Sequence, residues 1–164
     1  MQRVGWVVGV LCVALAAACS SGGAKPSLGA SVRATGAAVS NGTVVIGDTT
    51  FQFTMICYAP GAGSVVAVGT GTEPNTGRAT RALVQAFFRD PYVGVTIGDN
   101  DTVFEPSLDE PIELFYRDDV VRGGAIQFVR NLDLQARAGT AAGIGSVTVT
   151  CSSYRAGLPP GYGN

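Results

Sequence analysis

Alternation of apolar and polar side chains marks two stretches of the chain as half-buried β-strands. In the segment FQFTMIC, every second residue is apolar or a cysteine: Phe51, Phe53, Met55 and Cys57. In the segment GSVTVTC, the same rule selects Val147, Val149 and Cys151. Because successive side chains of a strand point to opposite faces, each stretch predicts one core-facing row, with a cysteine at its end.

Further segments have the composition of strands but a weaker pattern. They are residues 44–46, 64–71, 92–101, 112–119 and 125–138. In the last of these, Ile126 and Phe128 begin a row that Leu132 and Leu134 would continue. β-Branched and aromatic residues between turn-forming glycines favour strands at these positions.

The segment RATRALVQAFFRD, residues 78–90, fits two structures. As a helix it would pair Leu83 with Phe87 and Val84 with Phe88, four residues apart. As a strand it would place on one face Ala82, Val84, Ala86 and Phe88. Because strands are predicted on both sides, we favour the strand.

Many short strands separated by glycine predict a mainly β fold. The chain of 164 residues contains 23 glycines, and 164 residues suffice for one domain with a modest core. We expect a small antiparallel β-sandwich or a strongly curved sheet. The predicted β-rich domain covers residues 43–154, and a disordered tail rich in proline and glycine covers residues 155–164.

The N-terminus has the pattern of a bacterial export signal. Arg3 precedes an uncharged run from Val4 to Ala18, which is short for a membrane span. Three alanines then precede Cys19, which Ser20 follows, and this arrangement resembles a lipobox. We therefore predict a signal peptide over residues 1–18 and a diacylglyceryl thioether on Cys19. An ordinary secretory signal cut elsewhere and an uncleaved anchor are the alternatives.

All three interpretations place the remaining chain outside the cytoplasm. The favoured one predicts a protein anchored by lipid to the extracytoplasmic face of the cell membrane. Residues 19–42 are mostly Ser, Gly, Ala and Thr, a composition that buries too little surface to fold, so they predict a disordered, flexible tether. The membrane is then the first predicted partner.

The four cysteines can be assigned by position. Cys12 leaves with the predicted signal peptide, and Cys19 carries the lipid. Cys57 and Cys151 remain, and an oxidising compartment favours a disulfide between them. Two separate buried thiols are the alternative.

Order and spacing of these features resemble a known family. The lipobox, the tether, the VVIGD opening, the cysteine near the end of the second strand, the VGVTIGD segment and the final VTVTCS together resemble the mycobacterial 19 kDa lipoprotein antigen family. The resemblance spans about residues 44–152. It implies a cell-envelope lipoprotein with paired Cys57 and Cys151, and recognition of the acylated N-terminus by host innate receptors. It implies no defined biochemical activity.

Composition argues against most catalytic chemistry. Histidine does not occur, and the single lysine, Lys25, lies in the predicted tether. The chain therefore lacks the commonest general base, and a serine nucleophile would have no partner to activate it. Opposite charges nearly balance, at 11 basic and 12 acidic residues, which argues against a nucleic-acid partner. We predict no enzyme activity, no cofactor and no metal.

Two polar segments nevertheless resemble binding loops. Residues 99–119 hold most of the acidic residues, and Asp99, Asn100 and Asp101 resemble the start of a calcium loop without its full ligand set, so a solvated loop is favoured. Residues 69–81 contain glycines with Arg78 and Arg81 but lack the ending of a phosphate loop, so a turn is favoured. The two arginines are weaker candidates for contact with anionic lipid.

Two functions remain from this pattern. The favoured one is a surface antigen or an adhesion and interaction module. The alternative is a periplasmic carrier of an apolar envelope lipid or glycolipid. Six aromatic residues would line its cavity: Phe51, Phe53, Phe87, Phe88, Phe115 and Tyr116. In so small a domain, the same residues are expected to fill the core instead.

Overall fold

The computed structural model describes residues 39–162. Cys19, the predicted signal peptide and most of the predicted tether lie outside this range. The described residues form ten strands and no helix. In chain order they are β1 (Ser40–Ile46), β2 (Thr49–Gly61), β3 (Ser64–Thr72), β4 (Ala79–Ala86), β5 (Tyr92–Ile97), β6 (Thr102–Pro106), β7 (Phe115–Arg117), β8 (Val120–Asp133), β9 (Ala138–Thr150) and β10 (Tyr154–Ala156).

Eight of these strands close into an antiparallel barrel. Their order is β1-β9-β8-β6-β5-β4-β3-β2, and β2 pairs again with β1. The prediction of a mainly β, disulfide-closed fold is confirmed, but a barrel replaces the expected sandwich or curved sheet. The reason is β1, which uses both of its edges: Val44 faces Phe51 of β2 on one side and Val147 of β9 on the other. A sheet closed in this way has no free edge.

Two short strands lie outside the closed circuit. β7 pairs with the start of β8 through a two-residue turn, Asp118 and Asp119, both with positive φ. That conformation matches the twist of a tight hairpin and is tolerated by aspartate. β10 adds to β2 in parallel, with Tyr154 beside Cys57.

Side chains fill the interior of the barrel. The largest fully buried ones of this core come from seven of its strands: Phe51, Phe128, Ile126, Val44, Val65, Val84, Val93, Val95, Val121, Val147 and Val149. An eight-stranded barrel is just wide enough for such filling. Large and small residues alternate inside it: the Met55 side chain lies over the backbone of Gly42 and Gly69, where any Cβ would crowd it.

Several boundaries differ from those expected. β1 begins at Ser40, inside the segment predicted as tether, and β10 includes two residues of the segment predicted as disordered. The segment at 78–90 is a strand, as favoured, but β4 ends at Ala86, so Phe88 leaves the predicted row and is 99% exposed. β6 lies in the acidic segment, where no strand was expected.

Three irregularities interrupt the pattern in β8. The pairing with β9 shifts register after Gly123, after Phe128 and after Arg130. At the first and third of these points Ala125 and Asn131 have positive φ, as inserted residues of bulges do. Each inserted residue moves the following side chains to the other face. Ile126 and Phe128 are therefore buried as expected, whereas Leu134 is exposed.

Candidate functional site

The predicted pair Cys57 and Cys151 is brought together as a disulfide. Their Cα atoms lie 5.9 Å apart, and both residues are buried. Cys57 belongs to β2, and Cys151 directly follows β9. These strands flank β1, so the bond joins them where β1 begins. We call this end of the barrel, where β1 starts and β9 finishes, the proximal end.

Hydrogen bonds extend this junction. The Ser152 N–H donates to Ser40 Oγ at 3.0 Å, and the Cys151 N–H donates to the Asp119 carbonyl at 2.9 Å. Each bond fixes one strand that meets the proximal end: the first holds β1 to the chain after β9, and the second holds that chain to the start of β8. The disulfide therefore lies within a hydrogen-bonded seam.

A cluster of phenol and carboxylate groups covers the outside of the seam. Tyr154 Oη donates to Asp119 Oδ1 at 2.8 Å and lies 2.8 Å from Tyr116 Oη. The two rings meet edge to face, with centroids 6.5 Å apart. Burial, followed by the hydrogen bonds with Tyr116 and Asp119, raises the pKa of Tyr154 above its ordinary value. Tyr154 therefore remains a neutral donor at physiological pH, and its hydrogen bonds fasten β10 to the β7–β8 turn.

An apolar groove crosses the outer wall beside β5 and β6. It has a volume of about 330 Å³. The segment that follows β6 forms one side with Leu108, Pro111 and Ile112, while Leu132 and Leu134 form another. Sequence analysis did not identify these residues as a site. The sequence feature that could have identified them is the pair of prolines, Pro106 and Pro111. Proline has no N–H to donate to a neighbouring strand, so strand pairing ends there and the chain can turn across the barrel wall.

One hydrogen-bonded pair lies in this groove. Tyr92 Oη donates to Glu105 Oε1 at 2.6 Å. Burial raises the pKa of Tyr92, and the hydrogen bond to Glu105 adds to the effect. The Tyr92 ring lies over Gly94, whose missing Cβ leaves room for it. The groove thus contains a fixed carboxylate and a fixed aromatic ring among apolar side chains.

A second pocket opens at the opposite mouth of the barrel. It has a volume of about 230 Å³ and is bordered by Phe51 and Phe104, whose ring centroids are 6.1 Å apart. Glu73 and Arg130 also line it. The Glu73 carboxylate accepts a hydrogen bond from Thr76, which holds the β3–β4 loop closed. This mouth is polar at its rim and aromatic at its base.

The segment considered as a calcium loop is a turn between β5 and β6. Arg78 forms an ion pair with Asp101, and Arg81 donates to Asn100 Oδ1 at 3.2 Å. The two arginines considered for phosphate or lipid contact therefore bind this acidic turn. Among residues 39–162, no group of three or more His, Cys, Asp or Glu is arranged to hold a metal ion.

The six aromatic residues considered as a cavity lining do not form one site. Phe51 and Phe53 are buried in the core, with ring centroids 6.5 Å apart. Phe88 and Phe115 are exposed, and Phe87 and Tyr116 are intermediate. The interior that they would line in a carrier is occupied by buried core side chains, to which Phe51 and Phe53 belong.

These features define the class of the described part: a small antiparallel β-barrel with a filled core, joined at one end by a disulfide. Comparisons with protein-family models, curated proteins and solved structures each found no match. The described range, 39–162, contains no helix of the length and hydropathy needed to span a membrane.

Proposed function

We propose that this protein is a non-enzymatic lipoprotein of the cell envelope. Acylated Cys19 anchors it to the extracytoplasmic face of the membrane, and the barrel acts as a surface antigen or an adhesion and interaction module. Two or more acyl chains would make this attachment stable, because a single chain gives only reversible binding. Host innate receptors for acylated N-termini are partners in this proposal.

The observation that carries the proposal is the disulfide between Cys57 and Cys151. Disulfides persist in exported proteins and are rare in the reducing cytosol. The pairing therefore agrees with a chain that begins with an export signal. The filled core supports a role performed by the outer surface, because the interior offers no room for a lipid beside Phe51, Phe128 and their neighbours.

The outer groove favours one second function. A carrier of an apolar envelope molecule would hold it under the segment that follows β6, against Leu132 and Ile112. Grooves lined by apolar side chains with a few fixed polar groups are typical of small-molecule sites. Organic extraction of the purified protein, followed by mass spectrometry, tests this alternative. Leu132→Asp should abolish a stoichiometric lipid, and Ile144→Asp, on another part of the surface, should not.

Lipid attachment is tested by mass spectrometry and detergent-phase partition in a host that processes bacterial lipoproteins. The wild-type chain should begin at Cys19, carry acyl groups there and enter the detergent phase. Cys19→Ser should carry no acyl groups; because its uncut chain keeps the apolar segment before residue 19, acylation and not partition decides for this variant. Cys12→Ser is the matched control, because that cysteine lies within the predicted signal peptide, and it should behave as the wild type does. A wild-type chain without acyl groups, or a Cys19→Ser chain that carries them, would contradict the proposal.

A further inference from the structure

Exposed apolar side chains surround the proximal end of the barrel. Neighbouring strands of the closed circuit are antiparallel, so β1 begins at the same end at which β2, β4 and β9 finish and β8 begins. Four large apolar residues lie at these positions, and we call them the apolar collar. They are Val39 before β1, Phe88 after β4, Phe115 of β7 beside the start of β8, and Leu158 after β10.

Phe88 has the most complete exposure among the exposed large apolar residues of the described range. It is 99% exposed, Val39 and Phe115 are each 65% exposed, and Leu158 is 45% exposed. Single exposed apolar residues are ordinary, but an almost fully exposed phenylalanine at the end that carries three further apolar side chains favours a contact there. An exposed phenylalanine at a loop tip gains nothing from water, whereas a bilayer interface would bury it.

Charged neighbours indicate the chemistry of that contact. Arg89 and Asp90 follow Phe88 directly, and Arg117 and Asp118 follow Phe115 two residues later. The second pair is in contact, with Arg117 Nε 3.4 Å from Asp118 Oδ2. Each exposed ring therefore adjoins one positive and one negative group. This arrangement complements a zwitterionic head group, which carries both charges, better than an anionic surface.

The position of the proposed membrane anchor indicates what the apolar collar contacts. The N-terminal segment joins the barrel at Val39, within the collar, and the proposed lipid site at Cys19 lies about 20 residues earlier. Twenty residues of chain span at most about 70 Å, so an acyl group at Cys19 would keep the collar within reach of the membrane. We propose that the apolar collar docks the proximal end of the barrel onto a zwitterionic lipid surface, with Phe88 entering the interface. This inference rests on the proposed function, since the acyl anchor supplies the proximity.

Tryptophan fluorescence tests the docking directly. Trp6, the single tryptophan of the chain, lies in the predicted signal peptide, and Trp6→Phe removes its signal from any uncut precursor. Phe88→Trp is then introduced in the mature acylated protein, which is reconstituted in phosphatidylcholine vesicles. We expect emission at shorter wavelength than in detergent-free buffer, and several-fold quenching by brominated phosphatidylcholine. Ile144→Trp, exposed at the opposite end, is the matched control and should not be quenched.

A second arm separates this inference from the proposed function. In a Cys19→Ser chain that starts at residue 19 and so lacks the apolar segment before it, Phe88→Trp should still show a weaker, lipid-dependent shift at high vesicle concentration, and Ile144→Trp should not. The same chain without any tryptophan is then compared with its Phe88→Ser variant. The variant should bind vesicles about tenfold more weakly or worse, because it no longer buries a phenyl ring.

The outcomes are distinguishable. Acylated protein that partitions into vesicles while the Phe88→Trp side chain remains unquenched would overturn docking and leave the anchor intact. A shift that depends on protein concentration without lipid would instead identify a second copy of the chain as the occupant, which also overturns the inference. A lipid-dependent shift at Phe88→Trp in a protein that carries no acyl group would support docking and contradict the proposed anchor.

Discussion

Cys57 and Cys151 are bonded across 94 residues of sequence, and the bond connects the two strands that β1 separates. β1 pairs with β2 only as far as Ser40, which faces Met55. Beyond that point no backbone ladder from β1 holds β2 to the chain that follows β9. The disulfide lies two residues further along β2. It joins β2 covalently to the chain that follows β9, where the backbone hydrogen bonds of β1 have ended.

Removing this link should destabilise the barrel without changing its fold. The chain-entropy treatment of a loop of this length gives about 4–5 kcal/mol, and native disulfides typically contribute about 2–5 kcal/mol. We expect Cys57→Ala and Cys151→Ala each to lower the free energy of unfolding by several kcal/mol, measured by urea denaturation. The double variant should resemble either single one, because both remove the same bond.

Reduction of the wild-type protein is the control for this series. Reductant should lower its stability to nearly that of the double variant and should leave the double variant unchanged. Cys19→Ser retains the bond and should unfold like the wild type. Equal stability of wild type and double variant would show that the bond contributes little to closure.

The pair of Tyr92 and Glu105 should make stability depend on alkaline pH. Burial raises the pKa of Tyr92 above its ordinary value of 10.0, with a further contribution from Glu105. In the unfolded chain the phenol loses its proton first, so its stabilising effect is complete below about pH 10 and declines as pH rises further. We expect urea midpoints to fall over that interval, and to fall less in Tyr92→Phe.

Glu105→Gln is the matched variant for the tyrosine pair. Its amide oxygen retains an acceptor for Tyr92 Oη but removes the carboxylate charge, while burial of the ring is unchanged. Since burial is the larger cause of the raised pKa, the alkaline decline should be only partly reduced. Identical pH profiles for Tyr92→Phe and wild type would contradict the assignment.

The bulge at Asn131 combines a backbone and a side-chain requirement. Asn131 has a φ of 53°, and its Oδ1 accepts the Val103 N–H at 2.9 Å. Asn131→Ala loses the hydrogen bond, about 1 kcal/mol, and adds the cost of a left-handed conformation, also about 1 kcal/mol. Asn131→Gly should lose only the first, and Asn131→Asp should lose little. Urea denaturation should therefore rank the losses as Ala, Gly and Asp; any other order would contradict this role.

The local sequence pattern was sufficient to predict the strands that have one apolar face and one polar face. β2 and β9 were predicted because their apolar rows repeat every second residue, and the cysteines at the ends of those rows are indeed paired. The pattern could not show closure, because an alternating strand has the same appearance in a sandwich and in a barrel. Closure depends on which strands share an edge, here β1 with both β2 and β9, and these partners are distant in sequence.

The apolar groove and the apolar collar depend on structural features that the alternation of apolar and polar residues does not indicate. Tyr92 and Leu132 line the same groove, beside the short strand β6 and the bulged strand β8, and neither a short strand nor a bulge has a periodic signal. Phe88 continued the apolar row of β4 in sequence, yet the strand stops two residues earlier. Pro91 follows shortly and cannot donate to a ladder, which favours an early end to the strand.

Gly145 offers the sharpest test of barrel closure. It faces Ile46, the last residue of β1, on one side and Ile126 of β8 on the other, so it lies between two neighbouring strands of the barrel. A Cβ at this position would overlap the Val45 carbonyl oxygen and would lie 2.9 Å from Phe128 Cε2. Because the backbone of β1 would have to move, we expect Gly145→Ala to cost at least about 2–3 kcal/mol in urea denaturation.

Gly124→Ala is the matched control, since a Cβ there meets nothing within 4 Å. It should change the free energy of unfolding by less than about 1 kcal/mol. Hydrogen exchange should locate the damage in Gly145→Ala: faster exchange is expected for amides of β1 and β9, while those of β4 and β5 keep their protection. Uniform loss of protection, or none, would mean that the β1–β9 ladder does not close the barrel in the way described, because only that ladder contains the crowded contact.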